Sequence, residues 1–526
     1  VRHHDRVLGL ELVVVLGVTI LVCSVAAGRL RITPPVLLLA CGALLGFVPA
    51  LRAVSLPPEA MLLLFLPALL YWESLTTSLR EIRSNLRAIA LMSTALVVAT
   101  AAAAAWVAHA LGLPWGPAWV LGAAVAPTDA TAVGVIARAL PRRLVTTLRA
   151  ESLVNDGTAL VLYGLAVGFT TSGEELTAGH VAWLSVLAYV GGAAAGLATA
   201  WLVVQVRRHL DHPLHENLVS VLTPFVAFLA AESIEASGVL AVVVCGLALS
   251  QVGPRIVRAD ARQQSQSFWS LTTFLLNGAL FVLIGLQAQA AIRGLTTTVG
   301  TALVLVGLIS AAVIGTRFVW LFTTPYLVRL LDRRPQQRLR RVGARPRVVS
   351  SVAGFRGAVS LAAALSVPEG FPNRETIIFV TSGVVVVTLV VQGLALPAVI
   401  RWARMAPDTE VDEERRFASL TASEEARAAL PDIAARLGTD PAVVERMTKE
   451  YDKHLKVLHA KETDSDDPFS RAEADYTALR LELLAHKRAT VVRLRDERRI
   501  DDTVLRQVQS RLDIEEVRLS RREISE

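Results

Sequence analysis

Lysine is missing from the first 404 residues of this 526-residue chain: all five lysines come later, so the 31 basic side chains before Met405 are all arginines. Acidic residues are scarce there as well, 18 of the chain's 46. Cysteine is limited to Cys23, Cys41 and Cys245. Each lies in an apolar run, where a thiol behaves as a small hydrophobe, and their number and spacing indicate no disulfide or metal framework. No phosphate-binding Gly-Lys-Ser/Thr loop is found, which argues against ATP as the energy source. Nor is there a His-Glu-x-x-His, Gly-x-Gly-Asp or Gly-x-Ser-x-Gly around a candidate nucleophile, which argues against an intramembrane enzyme. No cofactor is expected.

What the chain has is apolar surface. Apolar residues make up 53% of it, more than a single water-soluble domain of this length carries. The charges divide it in two: residues 1–404 hold a formal +13, and residues 405–526, with 22 basic and 28 acidic side chains, hold −6. A bilayer core of ~30 Å needs ~20 apolar residues per helix. Runs of that kind predict spans near 7–28, 35–48, 56–75, 88–112, 116–137, 150–169, 181–206, 217–232, 238–251, 267–288, 299–326, 348–367 and 377–400. The expected fold is therefore an all-α polytopic membrane domain over 1–404, of about thirteen helices, with a cytosolic helical tail over 405–526.

The arginines orient these spans. Cytoplasmic loops accumulate Lys and Arg; the odd-numbered loops contain 22 arginines, from Arg29 to Arg347, and the even-numbered ones only Arg52, Arg293 and Arg374. This puts the N-terminus outside and the tail in the cytoplasm of a multi-pass cell-membrane protein. Reading residues 1–28 as a cleaved signal, which Ala26-Ala27-Gly28 would permit, inverts every loop and strands those arginines on the wrong face. The +13 can also attract anionic lipids, and it is no argument for nucleic acid.

A charge at mid-membrane costs ~2.5–3.5 kcal/mol on insertion scales, so ionisable residues at that depth are functional candidates. Apart from Glu11, Glu59 and Glu232, nearer span ends, the deep ones are Glu73, Asp129, Glu151, Asp156, Arg317 and Arg356. Four acids against two arginines leave a site able to hold cations. Span six has the densest group, Glu151-Ser152-Leu153-Val154-Asn155-Asp156-Gly157. Ser152 and Asp156 share one helical strip, and Glu151 and Asn155 a second about 100° round the helix. One strip suits an ion and the other a partner; a carboxylate locked in a structural salt bridge is the competing reading, weightiest for Glu151. Span five contains Ala126-Pro127-Thr128-Asp129-Ala130-Thr131 and span twelve Gly354-Phe355-Arg356-Gly357, both of which interrupt a helical ladder. Seven spans apart, they enter from opposite sides, as an inverted repeat of spans 1–6 and 8–13 with broken helices crossing at the midplane would require. Two ordinary kinks are the alternative.

These stretches, with Leu66-Pro67-Ala68-Leu69-Leu70-Tyr71-Trp72-Glu73, Ala231-Glu232, Ser237-Gly238-Val239-Leu240-Ala241 and the continuation Ala358-Val359-Ser360-Leu361, carry a resemblance over nearly all of 7–404. The chain resembles bacterial sodium/proton antiporters of the first monovalent cation:proton antiporter family, the group that includes the eukaryotic sodium/proton exchangers. The resemblance implies exchange of cytoplasmic Na⁺ or Li⁺ for external H⁺ by alternating access, with proton and cation competing for Asp156. Asn155 marks the electroneutral branch, hence one proton for one cation. The resemblance also places Ser152, the Thr128 carbonyl and Glu73 around the ion, lets Asp129 neutralise helix ends, makes Glu151 and Arg356 a structural ion pair, and implies a homodimer. K⁺/H⁺ exchange and a cation channel built on the same acids stay open.

In the tail, apolar residues recur at helical spacing, and Gly438 with Pro441 and the stretch Asp464-Ser465-Asp466-Asp467-Pro468 are expected to separate helices. The tail is either a regulatory or dimer-supporting domain or a solvated hairpin. His209, His212 and His215 titrate in a useful range, but Pro213 breaks their spacing and no fourth metal ligand is evident.

Overall fold

The structure is a computed structural model that describes residues 2–30, 33–48, 61–129, 140–172, 178–293, 298–331, 343–405, 410–460, 468–497, 499 and 502–524. The chain divides into two compact units, Val1–Asp408 and Thr409–Glu526, so the boundary falls a few residues beyond Arg404.

The first unit is helical because its apolar runs leave the backbone no other way to satisfy its polar groups in a hydrocarbon setting. Each stretch expected to span contains helix. Nine helices among the described residues are long and apolar enough to cross a membrane; Pro34–Leu45, Leu63–Thr76 and Trp115–Val125 are shorter apolar helices. Local signals set several starts. Ser237 caps Gly238–Ile256 by accepting from the Leu240 N–H at 3.3 Å, and His212 caps Pro213–Glu232 by accepting from the Leu214 N–H at 3.3 Å. That cap occupies one of the three loop histidines; the His209 ring bonds the Gln205 carbonyl at 2.8 Å.

Outward faces are apolar. On Arg2–Leu30, Val14, Val18, Leu21 and Val25 are exposed along one helical stripe, while Ile20, Cys23 and Ala27 are buried on the other. Inside, Pro34–Leu45 and Ala259–Arg293 touch backbone to backbone. A Cβ on Gly42 would overlap the Val282 carbonyl, and one on Gly285 the Leu39 carbonyl, the small-residue contact by which membrane helices approach closely. One large core surrounds Leu121, Leu283, Ile309 and Val384. A second gathers Tyr71, Phe228 and Val242 around the buried Trp269, whose indole N–H donates to Ser220 Oγ at 3.1 Å. Leu153 belongs to this second core, so Leu66–Thr76, which carries Glu73, is packed near the Glu151–Gly157 stretch.

The helices that stop short position the site. Trp115–Val125 ends before Pro127, and residues 126–129 run on without helix. Residues 130–139, including Ala130 and Thr131 of the motif and the end of the expected span, lie outside the described residues. Residues 344–365 form two half-helices, Ala344–Val352 and Ala358–Leu365, separated at 353–357. The two interruptions meet: the Asp129 N–H donates to the Phe355 carbonyl at 2.8 Å, in an isolated antiparallel bridge.

The second unit has four helices, Glu410–Leu437, Pro441–Ala460, Pro468–Asp496 and Asp502–Ile524. Gly438, at φ +64°, ends the first, and Asp440 caps the second through a 2.8 Å bond from the Ala442 N–H. Residues 461–467, which include most of the second expected break, lie outside the described residues. Leu484, Leu512 and Leu519 close the later pair of helices.

Candidate functional site

The site centres on Arg142–Ser172, which brings Glu151, Ser152, Asn155 and Asp156 into the interior; all four are buried. The strip formed by Glu151 and Asn155 faces the interruption after Trp115–Val125. Asn155 Nδ2 donates to Thr128 Oγ1 at 2.6 Å and to the Thr128 carbonyl at 3.4 Å. Thr128 Oγ1 in turn donates to Glu151 Oε1 at 3.5 Å. The non-helical segment is thus held by side chains of the neighbouring helix, which replace the lost ladder bonds.

The other strip carries Ser152 and Asp156. No hydrogen bond or ion pair to the Asp156 carboxylate is made among the described residues, although Asp156 is 5% exposed. It lies in the electrostatic field of Asp129 and Glu73, and Glu73 in that of Asp129 and Arg149. Three acids therefore converge from three separate elements: Leu66–Thr76, the interruption at 126–129 and Arg142–Ser172. A buried bare carboxylate is costly, and two like charges beside it raise the cost. This arrangement favours a bound proton or cation.

The deep arginines are committed elsewhere, and one differs from the expectation. Glu151 pairs with Arg317, not Arg356: Arg317 donates to both Glu151 oxygens, through Nη1 to Oε1 and through Nη2 to Oε2 at 3.1 Å, with both side chains 1% exposed. Arg317 Nε also donates to the Ser350 carbonyl at 3.0 Å, which ties Val299–Leu331 to the first half-helix. Arg356 lies within the electrostatic reach of Glu151, but its guanidinium hydrogen-bonds backbone carbonyls. Its Nε donates to the Val125 carbonyl at 3.1 Å and its Nη1 to that of Gly354, while its N–H donates to Thr388 Oγ1 at 3.3 Å. Val125 is the last residue of its helix, so the guanidinium satisfies a terminal carbonyl at the negative end of a helix dipole.

Asp129 makes the converse arrangement. A Cβ on Gly357, which precedes Ala358–Leu365, would overlap the Asp129 carboxylate, so that carboxylate sits at the positive end of the second half-helix. Each interrupted segment thus supplies the charge that balances an end of the other. A Cβ on Gly354 would overlap the Arg317 side chain. The two glycines around Phe355-Arg356 therefore make room for charged side chains arriving from other helices.

Of the acids nearer span ends, Glu11 and Glu232 are exposed and Glu59 lies outside the described residues. No group of three or more His, Cys, Asp or Glu suited to a metal ion occurs among the described residues. The sequence marks Arg317 as a deep charge and offers no partner for it. Its isolation in an otherwise apolar helix was the signal available; the carbonyls of Val125 and Ser350 gave none.

The model of the family described as sodium/hydrogen exchanger, transmembrane, matches residues 15–402. A protein of Mycobacterium tuberculosis named as an uncharacterized Na⁺/H⁺ exchanger is 45% identical, over 99% of this chain and 98% of its own length. A sodium, potassium, lithium and rubidium/H⁺ antiporter of Bacillus subtilis is 31% identical over 73% of this chain and 61% of its own. Among solved structures, the sodium proton antiporter MjNhaP1 of Methanocaldococcus jannaschii shares the fold with a TM-score of 0.57 at 19% identity, over 75% of this chain and 97% of that one.

Proposed function

This chain belongs to the sodium/hydrogen exchanger family, and from that premise we propose that it exchanges cytoplasmic Na⁺ or Li⁺ for external H⁺ at Asp156. It is a multi-pass membrane transporter, not an enzyme, and cation/proton antiport is its class of activity. The observation that carries the finer reading is Asp156 itself: buried, without a hydrogen bond among the described residues, and beside two further acids while Arg317 and Arg356 are bonded elsewhere.

Such a carboxylate holds either a proton or a cation, and one excludes the other. Moving it bare through apolar surroundings is costly, so only the loaded protein switches sides and exchange is obligatory. Ser152, one turn before Asp156, and the Thr128 carbonyl supply neutral oxygens suited to Na⁺ or Li⁺. Glu73 and Asp129 add negative potential, and Asn155 holds the Thr128 segment in place while contributing no charge. One proton for one cation then makes exchange electroneutral, and a one-unit pH difference, ~1.4 kcal/mol, supports a roughly tenfold cation ratio. By the arginine asymmetry, the N-terminus lies outside the cell membrane and the tail in the cytoplasm; a homodimer is the assembly proposed. The name of the Bacillus subtilis relative favours one second reading, K⁺ as an additional or alternative cation.

The test is cation-induced collapse of an imposed pH gradient in proteoliposomes, for wild type and Asp156→Asn, with Na⁺, Li⁺ and K⁺ in turn and the membrane potential clamped or free. Na⁺-driven collapse indifferent to potential and absent in the variant is the expected result. Collapse with K⁺ alone would change the substrate, current without a counter-ion would mean a channel, and full activity in Asp156→Asn would remove the central assignment.

A further inference from the structure

Two of the three cysteines meet inside the membrane unit. Cys23, on Arg2–Leu30, and Cys41, on Pro34–Leu45, are free thiols whose Sγ atoms lie 3.3 Å apart. Each stands about two turns from the short connection between its helix and the other, so the two sulfurs face each other across a tight helical hairpin. Their exposures differ: Cys23 is 2% exposed, whereas Cys41 is only partly buried. Cys245 is fully buried in the separate core around Trp269.

A disulfide requires sulfurs at ~2.05 Å, so this pair closes by roughly 1.3 Å, within reach of side-chain rotation and a slight helix shift. We propose that Cys23 and Cys41 are an oxidisable dithiol site whose substrate is an apolar two-electron oxidant, an organic hydroperoxide. The less buried partner, Cys41, reacts first. Cys41 sulfur attacks the distal peroxide oxygen, the O–O bond breaks, and the thiol proton leaves with the alkoxide as an alcohol. Cys23 sulfur then attacks the resulting Cys41 sulfenic acid; the S–S bond forms, the S–O bond breaks, and the hydroxyl leaves with the Cys23 proton as water. Two thiols and one hydroperoxide thus give one disulfide, one alcohol and one water.

The bond would tether a loosely held helix. Only 17% of the apolar stretch of the first helix is buried within the protein, against 33–67% for the other eight candidate spans. Pro34–Leu45, by contrast, is locked onto Ala259–Arg293 at Gly42, the residue after Cys41. Oxidation therefore fastens the least anchored helix to a rigid pair, whichever cation is carried.

The test uses the full chain in lipid vesicles with its native cysteines. Cumene hydroperoxide is added over a concentration series, the protein is denatured, and free thiols are counted with a mass-shifting maleimide while peptides are mapped by mass spectrometry. The expected result is a fall from three labelled thiols to one, a linked Cys23–Cys41 peptide, no crosslinked dimer on a non-reducing gel, and restoration to three by dithiothreitol. Cys23→Ser and Cys41→Ser should each lack the linked peptide, and Cys245→Ser should keep it. Retention of all three thiols, or their loss without the linked peptide, overturns the proposal.

Discussion

The membrane unit has exposed ion pairs such as Arg258–Asp260, but among the described residues it alone also buries one. In the membrane unit, Glu151 and Arg317 are each 1% exposed and come from distant parts of the chain. In the second unit, Arg427 and Asp452 are 44% and 41% exposed, and pairs such as Lys449–Glu445 sit one turn apart on the same helix. A water-exposed pair adds little, because solvent already satisfies both partners and salt screens them. A buried pair costs several kcal/mol per ion to desolvate, and what matters is that neither partner be left alone. The buried charge of the first unit thus fixes positions, atom by atom, while the water-exposed pairs of the second, even those that join two helices, add little.

The sharpest way to break this contrast is to strand one partner of the buried pair. Arg317→Gln leaves Glu151 charged and uncompensated, for an expected loss of about 3–5 kcal/mol, read as a lowered melting temperature in detergent. Combining it with Glu151→Gln should cost less than the sum of the two. The same cycle between Glu151 and Arg356 should show weaker coupling, because the Arg356 guanidinium bonds the carbonyls of Val125 and Gly354. Equal coupling of both arginines to Glu151 would undo the pairing described above.

A smaller effect is expected where space, not charge, is removed. Gly357→Ala places a methyl group on the Asp129 carboxylate, an overpacking expected to cost about 1–3 kcal/mol and to slow exchange by displacing an acid beside Asp156. Asp129→Ala in the same chain should relieve the overlap, so the two stability losses should fall short of additive. Strict additivity in thermal melts would mean that the glycine and the carboxylate are not in contact.

These residues also show how far the sequence could be read. Apolar runs anticipate the helical stretches, since hydrocarbon admits little but helix, and Pro127 and the glycine-flanked Arg356 mark the two interruptions that meet at Asp129 and Phe355. The i, i+4 geometry anticipates two strips on Arg142–Ser172, one of which does face Thr128. The partner of Glu151 was not legible. Arg317 and Arg356 are equally isolated in apolar surroundings, and only the fold shows that the guanidinium of Arg356 bonds carbonyls alone, whereas that of Arg317 reaches the Glu151 carboxylate as well as the Ser350 carbonyl. The meeting of Cys23 and Cys41 was equally hidden, because the rotation of two helices about their axes is set by packing partners such as Gly42 and Gly285, far apart in the chain.

The faintest effect lies in the second unit and turns on pH. A hydrogen bond from Arg427 is the main reason the Asp452 carboxyl is held below its ordinary range. A carboxyl with a lower value folded than unfolded contributes stability above its unfolded value and loses it as the pH falls through the folded one. In the full-length protein, the protection of amides over residues 410–460, measured against the intrinsic exchange rate at each pH, should therefore fall below about pH 4 in wild type, and Asp452→Asn should flatten that dependence. At neutral pH the variant should differ little and less still in high salt, with cation exchange unchanged, since nothing buried is stranded when a water-exposed partner is removed. If Asp452→Asn instead slowed exchange as much as Gly357→Ala does, the charges of the second unit would be fixing positions too, and the contrast between the two units would fail.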